Sequence, residues 1–275
     1  MAIKSPTSAQ LRSASNGIVL LARAGYAAKG IVYIVIGWLA AKAAVGRGGA
    51  TTDPRGAVRI IGDGPFGKLA LLVIGVGLLG YMVWRLVSAA TDVERKGSDP
   101  SSLAKRVGEA LRGVAYGTLG VFALKELTRS PSRGGNATRH WTAKLLDLPF
   151  GRFLVMAVGL GVIAYAFYQL YRAGTDKVKK HLDLAKAGEP QATWIVRAGR
   201  FGIGARAVVF VMIGVLLLRA AARHNAGEAG GIKQGLTALA AEPYGRYVYG
   251  AVALGFVAYG IFQVATARYR RIRAA

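Results

Sequence analysis

The chain has 275 residues, 53% of them hydrophobic, and its 37 Lys and Arg against 13 Asp and Glu give a net charge of +24. In a soluble protein this excess would indicate nucleic-acid binding, but here the charges interrupt long apolar runs, which favours an integral membrane protein over a soluble basic one. The composition therefore argues against nucleic acid as a partner, and the lack of cysteine excludes disulfides and thiol chemistry.

Six membrane helices are predicted after a polar, flexible N-terminal tail at 1–16. A span needs about 20 mainly apolar residues, and flanking Lys or Arg can extend a shorter run by snorkelling. Because the runs lack the alternation of barrel strands, the predicted fold class is all-α. The spans are expected near 24–45, 66–90, 107–127, 150–171, 201–222 and 244–267.

The six spans are predicted to be three tandem copies of a two-helix repeat. The first helix of each copy starts with Arg, followed by Gly at plus two, a cation at plus six, an aromatic residue at plus ten and Gly at plus fourteen. The second helix opens with Pro-Phe-Gly-Lys at 65–68, Pro-Phe-Gly-Arg at 149–152 and Pro-Tyr-Gly-Arg at 243–246. A fixed period sets the architecture, and the predicted repeats are 17–95, 96–180 and 181–275, the last with a basic C-terminal tail.

The arrangement of the repeats follows from their helix number. Two helices per repeat bring every copy into the membrane in the same sense, so that rotation about the membrane normal can relate them. We therefore predict a pseudo-threefold bundle. The side that holds both termini has 22 of the 37 Lys and Arg, and the positive-inside rule places that side in the cytoplasm.

Each of the three outer connections is predicted to hold either a short amphipathic helix in the membrane interface or a plain surface loop. In the first connection, Asp53 followed by Pro54 has the form of a helix N-cap with Pro at the first helical position. Apolar residues at helical spacing follow in each copy, which favours the helix.

The candidate site comes from stripes of residues spaced four apart, which share one helix face. The cations at plus six lie about one turn inside the cytoplasmic boundary, and polar side chains end the returning helices at the same depth. These cations either snorkel to phosphates or form one ring that receives an anionic group, for which a lipid headgroup is the best match. The tyrosines fit packing as well as binding. The candidate residues are Lys29, Arg112, Arg206, Arg85, Gln169, Gln263, Tyr81, Tyr165 and Tyr259.

Other chemistry is not expected from this sequence. All 13 carboxylates are predicted to lie in connections, in tails or at helix ends, so no acidic residue is expected to be buried within a span. His140, His181 and His224 are isolated and lack metal-ligand spacing. No nucleophile and base pair is visible. We therefore expect no enzyme activity, no metal and no cofactor.

Three copies of Arg-x-Gly-x3-[Lys/Arg]-x3-aromatic-x3-Gly, each followed by Pro-aromatic-Gly-[Lys/Arg], resemble a bacterial membrane family known as domain of unknown function 1206. The resemblance covers about residues 17–270. It implies a multi-pass protein of the bacterial inner membrane and supplies no activity. We expect a non-enzymatic module that binds anionic lipid or a membrane partner through a cytoplasmic basic face. The alternative is a channel or facilitator for a small anion or neutral solute along the pseudo-threefold axis.

Overall fold

The computed structural model describes residues 8–91, 100–128, 137–179 and 182–270, and these residues form nine α-helices and no β-strand. The all-α prediction is therefore confirmed. The helices are α1 (Ser8–Ala44), α2 (Pro54–Gly62), α3 (Gly67–Thr91), α4 (Pro100–Leu127), α5 (Ala137–Leu146), α6 (Gly151–Gly174), α7 (Glu189–Ala222), α8 (Ile232–Ala240) and α9 (Gly245–Tyr269). Short 3₁₀ turns cover Asp176–Val178, Leu184–Ala187 and Ala226–Glu228.

The first helix of each repeat begins earlier than its predicted span. The three helices start at Ser8, Pro100 and Glu189, whereas the spans were expected to start near 24, 107 and 201. Hydropathy marks where an apolar run begins, but helical hydrogen bonding continues through the polar residues before it. The tail predicted at 1–16 thus overlaps the first turns of α1, and residues 1–7 lie outside the described part.

Within the described residues, five helices are long and apolar enough to cross a membrane, which indicates a membrane protein. They contain Val19–Ala44, Gly67–Ala90, Gly151–Gly174, Glu189–Ala222 and Gly245–Tyr269. The predicted third span, in α4, does not reach this level of hydropathy. Its first half carries Lys105, Arg106, Glu109 and Arg112, and these charges lower its mean hydropathy although the second half is apolar.

A short helix lies in each of the three connections that are predicted to be outer, as α2, α5 and α8. The backbone N–H of Gly56 donates to Oδ1 of Asp53 at 2.8 Å, so Asp53 caps α2 as predicted. The helix alternative is therefore confirmed over the loop alternative. The location of these helices in the membrane interface stays a prediction.

The Pro-aromatic-Gly motif forms a tight turn between each short helix and the long helix that follows. A Cβ atom on the Gly of the motif would collide with a carbonyl oxygen of the short helix, which explains why Gly is present in every copy. Phe150 and Tyr244 have positive φ angles of 62° and 60°. The aromatic rings point away from the helices, with Phe66 78%, Phe150 80% and Tyr244 82% exposed, as suits residues of an interfacial aromatic belt.

Helix contacts divide the chain into two compact units, to which α1 and α9 each contribute part of their length. Unit one contains residues 1–29, 58–130 and 263–275. Within it α3 packs along α4, where a Cβ on Gly120 would meet the carbonyl oxygen of Gly75 at 2.9 Å. The small residues thus serve close helix approach, as expected in lipid.

Unit two contains residues 30–57 and 131–262. Within it α6 packs along α7, where Gly214 lies against Gly159, and the second part of α1 packs on α9, where Gly37 lies against Ala253. Gly37, Gly120 and Gly214 occupy the same position in the three repeats. Each therefore contacts the second helix of another repeat. Gly37 of repeat one contacts repeat three, Gly120 of repeat two contacts repeat one, and Gly214 of repeat three contacts repeat two.

Candidate functional site: buried cations among aromatic rings

In unit two, Arg206 of α7 lies buried among three aromatic rings. Its Nη1 donates to the hydroxyl of Tyr259 at 2.7 Å. The guanidinium carbon is 5.2 Å from the ring centre of Tyr33, 5.0 Å from that of Phe210 and 4.4 Å from that of Tyr259. Cation–π attraction and the hydrogen bond replace water around the charge. Arg206 is therefore enclosed by protein within unit two.

In unit one, Lys29 of α1 has an equivalent aromatic environment. Its Nζ lies 4.6 Å from the ring centre of Tyr116 and 5.8 Å from that of Tyr81, and the residue is buried. In both repeats the contacts come from the Tyr of the same repeat's second helix and from the plus-ten aromatic residue of another repeat. The plus-six cation thus has the same kind of pocket in repeats one and three.

Arg85 of α3 forms a second buried cluster in unit one. Its Nε donates to the hydroxyl of Tyr81, its Nη1 to Oε1 of Glu109 and its Nη2 to the hydroxyl of Tyr26, all at 3.0 Å. The guanidinium also lies 4.5 Å from the ring centre of Trp84. All three guanidinium nitrogens therefore donate to protein oxygens, and the ion pair with Glu109 balances the charge of Arg85.

Glu109 corrects the expectation that carboxylates are confined to connections, tails and helix ends. It lies in the third turn of α4, is only 7% exposed and pairs with Arg85. The sequence contains a signal for this pair. The position of Arg85 in each second helix can be matched with the plus-three position in the first helix of another repeat. The three resulting pairs are Arg85 with Glu109, Gln169 with Ile203, and Gln263 with Tyr26. Among these three pairs, the one that contains a cation, Arg85, is also the one that contains a carboxylate, Glu109.

The plus-six cation of repeat two differs from the other two. Arg112 is half-buried, and its Nε donates to the carbonyl oxygen of Gly108 in its own helix at 3.1 Å. Tyr165 of the same repeat is half-buried too, although Tyr81 and Tyr259 are buried. Gln169 and Gln263, which occupy the position of Arg85 in the last two turns of α6 and α9, are both buried.

Three pairs of aromatic rings repeat one contact between repeats. The ring centres are 5.5 Å apart for Tyr81 and Tyr116, 5.7 Å for Tyr165 and Phe210, and 4.9 Å for Tyr259 and Tyr33. Each pair joins a Tyr of a second helix to the plus-ten aromatic residue of another repeat. The predicted ring of cations joins residues of both units and stays a prediction.

The apolar helices, the three copies of one helix pair and the buried cations define a membrane protein built from internal repeats. The chain belongs to the family described as Domain of Unknown Function (DUF1206), whose profile matches residues 24–92, 107–176 and 201–270. The predicted family and its three repeats are therefore confirmed.

A curated relative matches nearly the whole chain. The chain is 32% identical over 250 residues to the uncharacterized protein YxxB of Bacillus subtilis (strain 168), which covers 91% of this chain and 90% of the relative. No solved structure matches the chain.

Proposed function

We propose that this protein is a six-span module of the bacterial inner membrane that binds anionic lipid through a basic cytoplasmic face. The sixth span in this proposal is α4. Its apolar half follows Arg112, and the pairing of Glu109 with Arg85 removes two charges from the cost of placing this segment beside α3 in lipid. The family match over 107–176 includes α4 as the first helix of a repeat.

The proposed bundle is pseudo-threefold. Its support is the recurrence of one ring contact and one glycine contact between repeats, including the contacts of repeat three with repeat one through Tyr259 and Tyr33. Single cysteines at positions 50, 135 and 227 test the topology, because the chain has no other cysteine. All three should be labelled from outside the cell by a membrane-impermeant reagent. Labelling of only one or two would contradict the tandem orientation.

The observation that carries lipid binding is the aromatic enclosure of Lys29 and Arg206. Tyr and Phe rings attract a cation, so these ring contacts fix the position of each positive charge. A fixed charge near the inner membrane boundary attracts anionic headgroups, since juxtamembrane cations each contribute about 1 kcal/mol of attraction to an anionic surface. Arg112 and the basic connections add to this field.

The test is selective lipid retention measured by native mass spectrometry. The purified chain is placed in bilayers of phosphatidylcholine and phosphatidylglycerol, and the triple variant Lys29→Gln, Arg112→Gln, Arg206→Gln is compared with wild type. We expect the triple variant to lose its preference for phosphatidylglycerol. The charge-conserving variant Lys29→Arg, Arg112→Lys, Arg206→Lys should keep it.

A matched control uses the plus-nineteen cations at the opposite end of the same three helices. Lys42→Gln, Lys125→Gln and Arg219→Gln remove the same total charge, so retention should stay near wild type if the site lies on the cytoplasmic side. Circular dichroism checks that the helix content of each variant is unchanged. Equal retention by wild type and the triple Lys29, Arg112 and Arg206 variant would refute the proposal.

The alternative function is a channel or facilitator for a small anion or neutral solute. It requires an open path, and it predicts solute flux into liposomes that contain the purified protein. The close helix contacts at Gly37, Gly120 and Gly214 favour packed helices within each unit. Flux of a small anion that stops in the Arg206→Gln variant would favour this alternative over lipid binding.

A further inference from the structure

A cavity of about 570 Å³ lies within unit two, between the turn after α6 and the first turns of α7. Three of its lining side chains are cationic, Lys179, Arg197 and Arg200, and one is acidic, Glu189. Leu184 and Val196 add apolar surface. A cavity with excess positive charge beside apolar side chains matches a ligand with a phosphate group on an apolar or glycerol body.

The length of α7 places this cavity near the headgroup region of a membrane. Its 34 residues extend to about 50 Å at about 1.5 Å per residue, whereas the hydrocarbon core is only about 30 Å thick. The apolar span predicted at 201–222 fills that core, so the turns before it lie outside. Trp194 on these turns is 70% exposed, with the guanidinium of Arg197 6.0 Å from its ring centre, as suits an interfacial anchor.

Arg200 has an incomplete set of partners. Its Nη2 donates to Oδ1 of Asp176 at 3.1 Å, but its Nε is buried and has no hydrogen-bond partner among the described residues. The equivalent residue of repeat two, Arg106, donates from Nε and Nη2 to the carbonyl oxygens of Ala89 and Ala90 at 2.6 and 2.8 Å. Protein acceptors therefore hold the guanidinium of Arg200 less completely than that of Arg106, and the Arg200 side chain is 42% exposed where it lines the cavity.

From the cavity, its three cations and the partly exposed side chain of Arg200, we infer that this cavity binds a phosphate ester. The sources of that group are the headgroup of an anionic phospholipid and a soluble phosphate ester. In the lipid case the phosphate lies between Arg197 and Arg200, and the glycerol lies against Leu184. This inference rests on the proposed function for the lipid source and locates a binding site outside the predicted ring.

The experiment again uses native mass spectrometry of the full chain in phosphatidylcholine bilayers, with two probes. One probe is phosphatidylglycerol added to the bilayer, and the other is soluble glycerol 1-phosphate. Arg197→Gln and Arg200→Gln should each reduce the bound fraction of the active probe about tenfold. Ala192→Phe should block the cavity without changing charge, since Ala192 lines it.

The matched control is Lys186→Gln, on the same connection and outside the lining of the cavity. Its side chain is 77% exposed and pairs with Asp183 at 3.3 Å, so it reports the loss of one positive charge alone. Binding by this variant should stay within about twofold of wild type. A loss equal to that of Arg200→Gln would show diffuse attraction rather than a site and would overturn the inference.

The outcomes separate this inference from the proposed function. Retention of phosphatidylglycerol that responds to Arg200→Gln and Ala192→Phe supports the lipid source. Saturable binding of glycerol 1-phosphate in bilayers of phosphatidylcholine alone supports the soluble source. Selective phosphatidylglycerol retention that ignores Arg197→Gln, Arg200→Gln and Ala192→Phe refutes the cavity and leaves the proposed function standing. A wild-type chain that retains neither probe refutes both.

Discussion

The buried arginines of the two units differ in what surrounds them. Arg85 in unit one meets two tyrosine hydroxyls and the carboxylate of Glu109, so its charge is paired. Arg206 in unit two meets the hydroxyl of Tyr259 and the faces of neutral rings. The repeats thus surround a buried cation in two ways, with a carboxylate and hydroxyls at Arg85 and with aromatic rings and a hydroxyl at Arg206.

The difference separates structural charge from charge that is available to a ligand. The ion pair with Glu109 weakens the field of Arg85 beyond its own contacts, whereas the ring contacts of Arg206 come from uncharged groups. For this reason the binding hypothesis depends on Arg206 and Lys29, and Arg85 becomes a packing residue within it. The predicted role of Arg85 in anion binding is accordingly the first part of the hypothesis to test.

The largest expected effect comes from breaking the Arg85 and Glu109 pair. Glu109→Gln leaves a buried arginine without its counter-charge, which costs about 3–5 kcal/mol of the free energy of unfolding. The double variant Arg85→Gln, Glu109→Ile copies the residues Gln169 and Ile203 of the equivalent positions, and it should regain most of that loss. Unfolding in mixed micelles with increasing SDS measures both.

The double variant also controls for a merely disruptive change in α4. The double variant is expected to be more stable than Glu109→Gln although it carries two substitutions. A double variant as unstable as Glu109→Gln would mean that the pair contributes through packing and not through charge.

The next prediction asks whether close helix contacts at glycine contribute equally to stability in each unit. A Cβ on Gly37 of unit two would meet backbone atoms of Val257 and Ala253 at 2.6 and 2.7 Å, and a Cβ on Gly120 of unit one would meet Gly75 and Leu78 at 2.9 and 3.1 Å. We expect Gly37→Ala and Gly120→Ala each to cost about 1–3 kcal/mol through overpacking.

The matched control for these glycines is Gly161, where a Cβ would meet no atom within 4 Å. Gly161→Ala should be neutral or slightly stabilising, because Ala has the higher helix propensity. The same SDS unfolding assay compares all three. Similar losses of stability in Gly37→Ala and Gly120→Ala would mean that the units differ in their buried cations and not in their glycine contacts. A Gly37→Ala variant as stable as wild type would contradict the close contact.

A smaller effect on stability is expected at Arg206. Replacing it with Met keeps an extended side chain among the rings and removes the cation–π attraction, for a loss of about 0.5–2 kcal/mol in the same unfolding assay. Lipid retention should fall much more than stability does. The comparison would fail if Arg206→Met were as destabilising as Glu109→Gln, since the contacts of Arg206 would then contribute as much to stability as the ion pair of Arg85 does.

The sequence predicted the helices and the repeats well because both depend on periodic patterns within the chain. The start of each second helix follows from its Pro-aromatic-Gly turn, and the contacts of Gly37 and Gly120 follow from small residues spaced along one face. Helix starts were predicted less well, because α7 continues through polar residues that carry no hydropathy signal.

The clusters could be predicted only in part, because side-chain partners depend on which helices meet. Tyr81 and Tyr259 were singled out from spacing, and both contact a predicted cation. Glu109 was overlooked because position within a span was taken as a guide to burial. Its partner could be found only by comparing the repeats. Arg85 in repeat one and Glu109 in repeat two are the charged residues at positions where the other repeats have uncharged ones.

The smallest expected effect concerns an exposed counterpart of the Glu109 pair. Asp176 accepts from Lys179 at 2.9 Å and from Arg200 at 3.1 Å, and the hydrogen bond and charge of Lys179, aided by Arg200, lower the pKa of Asp176 below 3.8. The carboxylate is therefore ionised at neutral pH, and this pairing is lost only as the pH falls below 3.8 and through the lowered pKa. Asp176→Asn should leave stability nearly unchanged, since exposed pairs contribute little, and should raise phosphatidylglycerol retention a few-fold by freeing both cations. Reduced retention would instead show that Asp176 positions Lys179 and Arg200, as Glu109 positions Arg85, rather than competing with the ligand for them.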